Sequence, residues 1–537
     1  MTRAVKSSAK ADPWWHDAVI YQVYPRSFQD SNGDGIGDLR GIIERADYFS
    51  WLGVDAIWFS PFFTSPMVDF GYDVSNYLDV DPSFGTLADF DEMLAVLHAR
   101  NIRVILDYVP NHTSDQHPWF AQSRSSRENP KRDWYLWRDP GADGRPPNNW
   151  QSLAGGSSWE FDADTRQYYC HTFLKQQCDL NWRNPAVREA MHDVLRFWLE
   201  RGVDGFRIDA VGCLAKDPAL RDDPPNPHFR PGDPPFARNI MVNSANGPDI
   251  MGFVGGIRKV LEAYPRDPIL IGEVYLKTGE IAPYYGAELT GLHLPTNFNL
   301  LWTPWKAAPI LEVIGAYEAV LPVGAWPDWV MGNHDQPRIA SRLGRAQARI
   351  AMLLLLTLRG TPILYYGDEL GLEDVAIPPD KLRDPFGTNL PGLNQGRDPE
   401  RCPMPWDDTP NAGFTTGDPW LPIGGNGPGL SVERQRKDRS SMLSMTRDLL
   451  ALRRKEPALS RGSWTPLPIE GEALAYLRQH AGSRVGVLLN LEDEHKRLRV
   501  AEITTGNVMF STHERQGRQR ISQDVELAPN EGLIVAL

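Results

Sequence analysis

Cysteine is scarce in this chain. Four residues in 537, Cys170, Cys178, Cys213 and Cys402, show no metal-ligand spacing and are too thinly spread for a disulfide framework, so buried free thiols are expected. No apolar run reaches the length of about 20 residues that a membrane span needs. The N-terminal MTRAVKSSAKADPWW is basic but lacks the apolar core of a secretory signal. The expected setting is therefore the cytoplasm, and the glycosylation acceptor spelled by Asn111, His112 and Thr113 is discounted. Positive charge is also short: 56 Lys and Arg stand against 69 Asp and Glu, a net charge of −13. That balance argues against nucleic acid as the main partner and suits a neutral small molecule. With 41% hydrophobic and 23% charged residues, and a mean hydropathy of −0.41, the composition is that of a soluble globular protein. Its length exceeds one ordinary domain.

Apolar runs of strand length alternate with helical periods over most of the chain. Thr86 followed by Asp89 reads as a helix cap, and Phe90, Met93, Leu94 and Leu97 follow at i, i+3, i+4 and i+7. Pro185 opens a second helix with Val187, Met191, Val194, Leu195, Trp198 and Leu199 on its apolar face, and Gly202 closes it. The strand candidates are AVIYQVYP (18–25), AIWFSP (56–61), RVILDYV (103–109), GFRIDAV (205–211), ILIGEVY (269–275), PTNFNL (295–300), WVMGNHD (329–335) and TPILYYGDE (361–369). Eight β/α units predict an α/β fold, the (β/α)8 TIM barrel. Residues 111–178, rich in Trp, Pro, Asn and Gly, interrupt the alternation as an irregular inserted domain after strand three. From about 461 to 537 short strands and turns predict an all-β C-terminal domain of sandwich type. The barrel is thus assigned to 1–110 and 179–460.

In such a barrel chemistry collects at the C-terminal strand ends. Here they are acidic: Asp107, with Asn111 and His112 following, then Asp209, Glu273, and His334 with Asp335. Within GFRIDAV, alternation places Arg207 and Asp209 on one face, and the fixed guanidinium favours an ionised carboxylate. Alone, that pair is equally a structural ion pair. Buried carboxylates are costly, however, and a core built only for stability would not gather so many. Asp209 and Glu273, on neighbouring strands, suit the two carboxylates of a retaining glycosidase. Asp209 fits the nucleophile, and Glu273, beside other carboxylates, fits the acid and then base. Asp335 would stabilise positive charge developing on a sugar ring or hold sugar hydroxyls, with His112 and His334 as hydrogen-bond donors.

DYVPNH (107–112), GFRIDAV (205–211), GEVY (272–275) and NHD (333–335), in this order, resemble the four signature regions of glycoside hydrolase family 13, the α-amylase type. GIGDLRGI (35–42), CDLNW (178–182) and GTPILYYGDELG (360–371) resemble its accessory regions, with Cys178 where relatives usually carry Pro. The resemblance implies a barrel with a domain inserted after strand three, a β C-terminal domain, and the same roles for Asp209, Glu273 and Asp335. DFGYDV (69–74) and GRDPERCPMPWD (396–407) are similar to segments of the α-glucosidase and oligo-1,6-glucosidase group. There the resemblance implies that Asp69 and Arg397 close the pocket around a terminal glucose and that Tyr72 stacks on the sugar. Fork geometry suits such a barrier. The group tends to carry Val after the nucleophile when α-1,6-specific and Ala or Thr when α-1,4-specific; this chain has Ala210. The expected function is a retaining, exo-acting α-glucosidase on short α-1,4-linked substrates, with transglucosylation open. Oligo-1,6-glucosidase, sucrose hydrolase and trehalose synthase are the alternatives. The connection 212–252, with seven prolines between Pro218 and Pro235, is read as a rigid cover that shortens the site.

DSNGDGIGD (30–38) places Asp30, Asn32, Asp34, the carbonyl of Ile36 and Asp38 at positions 1, 3, 5, 7 and 9 of a loop resembling an EF-hand, with Gly35 at the turn. Position 12 is Gly41, so the bidentate Glu is missing. Glucosidases resembling this chain often hold Ca2+ or Mg2+ there, and a structural ion is expected; no organic cofactor is. A non-catalytic relative that works by interaction would have lost its carboxylates and carried a membrane helix, and this chain shows the opposite pattern. The oligomeric state is not legible.

Overall fold

The structure is a computed structural model and describes residues 12–424, 430–469, 472–513 and 520–537. The N-terminal segment read above for a secretion signal lies, up to residue 11, outside the described residues.

Eight strands form the central sheet: β1 Ile20–Val23, β2 Ala56–Phe59, β3 Arg103–Tyr108, β4 Gly205–Ile208, β5 Ile269–Val274, β6 Leu294–Asn297, β7 Asp328–Val330 and β8 Thr361–Tyr365. Their order is β6-β5-β4-β3-β2-β1-β8-β7. Every hydrogen-bonded pairing among them is parallel, and β6 lies against β7, which brings the sheet round into a (β/α)8 barrel. These strands are shorter than the apolar runs that announced them. β7 stops at Val330, and His334 and Asp335 stand on the following turn.

The helices obey their end signals. Leu87–His98 starts at Thr86 with a reciprocal capping box to Asp89, and its four predicted apolar residues are buried. In Pro185–Arg201 the Asn184 side chain accepts from Ala186 N, Gly202 ends the helix in the left-handed region, and all six expected residues are buried. At Gly205 a Cβ would lie 2.4 Å from the backbone oxygen of Ile269, so glycine lets β4 and β5 approach closely.

After β3 the chain leaves the barrel. His112–Ser114 pairs antiparallel with Gln177–Asp179, Asp179 opposite His112, and the excursion between them carries a three-stranded sheet. At the C-terminal end, Ser463–Pro466, Ala473–His480, Ser483–Asn490, Thr505–Ser511, Arg520–Ser522 and Gly532–Ala536 form a six-stranded sheet, with a two-stranded ribbon beside it. It has its own apolar cluster around Leu488, Leu527 and Leu533. All four cysteines are buried and free. Among the described residues no helix is long and apolar enough to cross a membrane.

Candidate active site

Arg207 organises the centre. Its side chain is buried, and it serves three carboxylates: Nη1 lies 2.9 Å from Asp107 Oδ1 and 2.8 Å from Asp209 Oδ1, and Nη2 lies 2.5 Å from Glu273 Oε1. Strand register explains the convergence. Ile208 is opposite Gly272 in the β4/β5 pairing, so the next residues of the two chains, Asp209 and Glu273, emerge side by side. The Asp209 N–H still donates to the Tyr108 carbonyl at 2.8 Å. Then Ala210 takes φ 45°, ψ 45°, and this left-handed residue turns the chain off the strand. A β-branched side chain would be more strained in that conformation. The Ala210 N–H donates to Glu273 Oε2 at 2.9 Å, so the turn also orients the glutamate.

Three buried carboxylates around one guanidinium cannot all remain ionised at neutral pH. Burial pushes Glu273 up to about 7, against the pull of Arg207 and with the charges of Asp209 and Asp335 adding to the rise. Asp209 is likewise raised by burial to about 7, with Arg207 opposing and Asp107 reinforcing. This qualifies the sequence reading, in which Arg207 alone kept Asp209 ionised: the guanidinium is divided among three acids. Both carboxyls thus hold a proton to higher pH than free carboxylates do.

Asp335 has the opposite electrostatics. Burial disfavours its charge, but its neighbours hold it well below the usual carboxylate range. His334 is the first of these neighbours, yet its own ring is pushed well below its ordinary value by burial. At neutral pH the fixed charges do the work: Arg401 Nη2 at 2.8 Å and Arg397 Nη1 at 3.1 Å, both on Asp335 Oδ1. Arg397 also reaches Asp69 Oδ1 at 2.6 Å and Asp384 Oδ1 at 2.8 Å, and Gln177 Nε2 donates to Asp69 Oδ2 at 3.0 Å.

The histidines are neutral wall residues. The Tyr72 hydroxyl donates to Asp107 Oδ2 at 3.0 Å and meets His334 Nε2 at 2.7 Å, while His334 Nδ1 lies 2.8 Å from Gln22 Nε2. The network thus assigns the proton to Nε2. The Tyr72 and His334 ring planes are nearly parallel with centroids 5.4 Å apart, and the 2.7 Å contact between their in-plane atoms sets the rings edge to edge. Burial lowers His112 to about 4, and its Nε2 lies 2.9 Å from the Tyr72 carbonyl.

Of the nine predicted catalytic and substrate residues, eight line a single cavity of about 770 Å³; Arg207 sits beneath it. Sequence reasoning did not find Arg401, Asp384 or Gln177. Arg401 lies four residues beyond Arg397 in the quoted GRDPERCPMPWD segment, which was the available signal.

The 30–38 loop stands apart. Asp30 Oδ1 accepts from Asn32 N and Gly33 N, and Asp30 Oδ2 from Gly35 N and Thr415 Oγ1. Asp34 Oδ1 accepts from Ile36 N. Asp38 caps the helix Leu39–Glu44 through Gly41 N and also accepts from Ser31. The donors are oxygen-rich, but among the described residues no three His, Cys, Asp or Glu side chains gather to hold an ion. The loop closes on its own hydrogen bonds.

Residues 22–462 match the family model described as the alpha amylase catalytic domain. The chain belongs to the α-amylase family, glycoside hydrolase family 13. It is 44% identical over 513 residues to a probable alpha-glucosidase of Rhizobium meliloti, covering 92% of this chain and 93% of that protein. An oligo-1,6-glucosidase of Parageobacillus thermoglucosidasius is 38% identical, covering 84% and 85%. Among solved structures, the alpha-glucosyl transfer enzyme XgtA superposes with a TM-score of 0.91 at 41% identity, covering 98% of this chain and 99% of that one. This family member is accordingly a glycoside hydrolase, and the α-glucosidase group is where its relatives fall.

Proposed function

We propose that the protein is a retaining α-glucosidase that removes the terminal glucose from short α-1,4-linked substrates. The observation that carries this is the single guanidinium of Arg207 joining Asp209 and Glu273, which holds side by side the two carboxylates that a retaining mechanism needs close together. Asp209 attacks the anomeric carbon while Glu273 gives its proton to the departing oxygen, forming a glucosyl ester. Glu273, now a carboxylate, takes a proton from the water that resolves the ester, or from another hydroxyl in transglucosylation. Asp335, held ionised by Arg397 and Arg401, offsets the positive charge on the ring in both transition states. The linked Asp69 and Arg397 both line the pocket, and a role as its barrier beyond the terminal glucose is the part of the reading that makes the action exo. Buried free thiols without a disulfide among the described residues favour the cytoplasmic setting as part of the same reading.

The short-substrate preference draws support from the connection after β4. Asp223 accepts from the backbone N–H groups of Val242, Asn243 and Ser244, and Asn149 of the inserted segment exchanges hydrogen bonds with Asp223, Asn149 Nδ2 to its carbonyl and its N–H to Asn149 Oδ1. The cover is clipped in place on one side of the pocket. Digestion of maltose, isomaltose and soluble starch compares the linkages, and the anomer of the glucose freed from p-nitrophenyl α-glucoside, whose one sugar is the group transferred, is followed by NMR. The expected result is α-glucose from the nitrophenyl substrate, and glucose released faster from maltose than from isomaltose, with starch the poorest substrate. Release of β-glucose would overturn the retaining mechanism, and faster isomaltose cleavage would favour the oligo-1,6-glucosidase alternative.

A Ca2+ or Mg2+ ion at Asp30, Asn32, Asp34, Ile36 and Asp38 belongs to the proposal as a folding support, on the strength of the oxygen donors and the burial of Asp30 and Asp38. Dialysis against EDTA is expected to lower Tm by several degrees, with recovery on adding Ca2+. An unchanged Tm would mean that the loop's hydrogen bonds suffice.

A further inference from the structure

His112 Nε2 stands between two neighbours that demand opposite things of it. The Tyr72 carbonyl at 2.9 Å can only accept a hydrogen, and the Gln177 side-chain nitrogen at 3.2 Å can only donate one. Gln177 cannot turn over to resolve the conflict, because its Nε2 also donates to Asp69 Oδ2 at 3.0 Å and its Oε1 accepts from Leu174 N at 2.9 Å. Burial keeps the His112 ring neutral around neutrality, so it carries one hydrogen that either nitrogen can hold. The choice is made at Nδ1.

There the ring meets the Asn111 side-chain nitrogen at 3.1 Å. The two ends of an amide have nearly the same shape, so neighbouring charge decides which end points where. Lys216 Nζ, a donor only, lies 3.3 Å from Asn111 Oδ1, and Asp179 Oδ1, an acceptor, takes a hydrogen from Asn111 Nδ2 at 3.0 Å. The second hydrogen on Nδ2 therefore falls to His112 Nδ1, which has to accept it, and the ring hydrogen goes to Nε2. The ammonium is itself fixed: it lies 3.0 Å from Asp179 Oδ2 and donates to the Cys213 carbonyl at 2.6 Å. Lys216, Asp179, Asn111 and His112 are all buried, where solvent does little to screen the pair.

We propose that Lys216 is a positioning residue that acts through Asn111 to hold His112 as an Nε2–H donor facing the pocket. Lys216 belongs to the connection 212–252, and Arg183 Nη2 holds its carbonyl at 2.6 Å. A charge on the cover, an acid of the inserted segment and an amide following β3 thus set together how a pocket histidine presents its hydrogen. Without the ammonium, Asn111 is free to turn its oxygen towards Nδ1. The hydrogen then moves to Nδ1, Nε2 accepts from Gln177, and a sugar hydroxyl that took a hydrogen bond from His112 loses it.

Ring-15N-histidine labelling of the full chain reads the tautomer directly, with the His112 signals assigned as those lost in His112→Asn. Lys216→Met alone strands the buried Asp179 charge, so it is paired with Lys216→Met/Asp179→Asn, which leaves no lone ion. The wild type is expected to show His112 as the Nε2–H form alone. The double variant is expected to show the Nδ1–H form as well and to lose about tenfold in kcat/KM on maltose, the worth of one hydrogen bond. Lys216→Arg keeps a charged donor and should return the Nε2–H form. A purely structural Lys216 would lower Tm in these variants and leave the tautomer untouched. An Nδ1–H form in the wild type, an unchanged tautomer in the double variant, or a changed tautomer with unchanged kcat/KM would overturn the proposal. Its kinetic half rests on the glucosidase reading above; absence of glucose release from maltose in the wild type would remove that reading, and the tautomer would still be read.

Discussion

Asp209→Asn is expected to lower kcat on maltose by about four to six orders of magnitude, the range seen when a covalent nucleophile is removed from a preorganised site. The substitution keeps the shape and removes the charge, so Arg207 retains Asp107 and Glu273 and the fold should survive with an unchanged far-ultraviolet spectrum. Glu273→Gln separates the two roles. A substrate whose leaving group departs without protonation, such as p-nitrophenyl α-glucoside, still forms the ester in that variant and gives a burst of nitrophenolate. Deglucosylation then stalls because no base activates water. Maltose needs the proton in the first step and loses activity with no burst. Rapid-mix kinetics distinguish these cases. A burst in Asp209→Asn, or none in Glu273→Gln with the nitrophenyl substrate, would mean that the two roles are wrongly assigned.

These assignments were largely legible before the fold was known, for a physical reason. Barrel strands are short apolar runs, and a polar residue at the end of one marks the C-terminal face; Asp107, Asp209 and Glu273 each stand in that position. Asp335 was visible too, although it stands on a turn five residues beyond the end of β7. Lateral information was not legible. Alternation within GFRIDAV placed Arg207 beside Asp209, but the sharing of its guanidinium with Asp107 and Glu273 depends on the register of β4 against β3 and β5, which no single strand encodes. The doubled clamp on Asp335 was hidden in the same way, because Arg401 comes from a loop after β8 and is far away in sequence. The 30–38 loop shows the converse: Asp and Asn at alternate positions satisfy turns and a helix cap as well as they satisfy an ion.

The three-way sharing makes Arg207 the most sensitive residue of the site after the catalytic pair. Arg207→Met is expected to cost about 3–5 kcal/mol of stability at neutral pH, since it leaves three buried carboxylates without their counter-charge. Part of that loss should be recoverable by acid. Carboxylates whose pKa is higher folded than unfolded bind protons on folding, so their penalty grows as pH rises and shrinks as it falls. With Asp107 already at about 6 and Asp209 and Glu273 at about 7 in the intact site, removing the guanidinium drives all three further up. The variant's Tm should therefore rise as pH is lowered from about 8 to about 6. Activity reports the same shift from the other side. Attack requires ionised Asp209, so activity appears as pH climbs through that group's pKa, and leaving-group protonation requires Glu273 to hold its proton, so activity fades as pH climbs further. The wild-type profile of kcat/KM is expected to be a narrow bell near neutrality, and what activity Arg207→Met retains should have its acid limb displaced to higher pH. Arg207→Lys keeps a charge but loses the fork, so it should restore more of the stability than of the rate. An acid limb unmoved in Arg207→Met would show that Arg207 does not set the ionisation of the nucleophile.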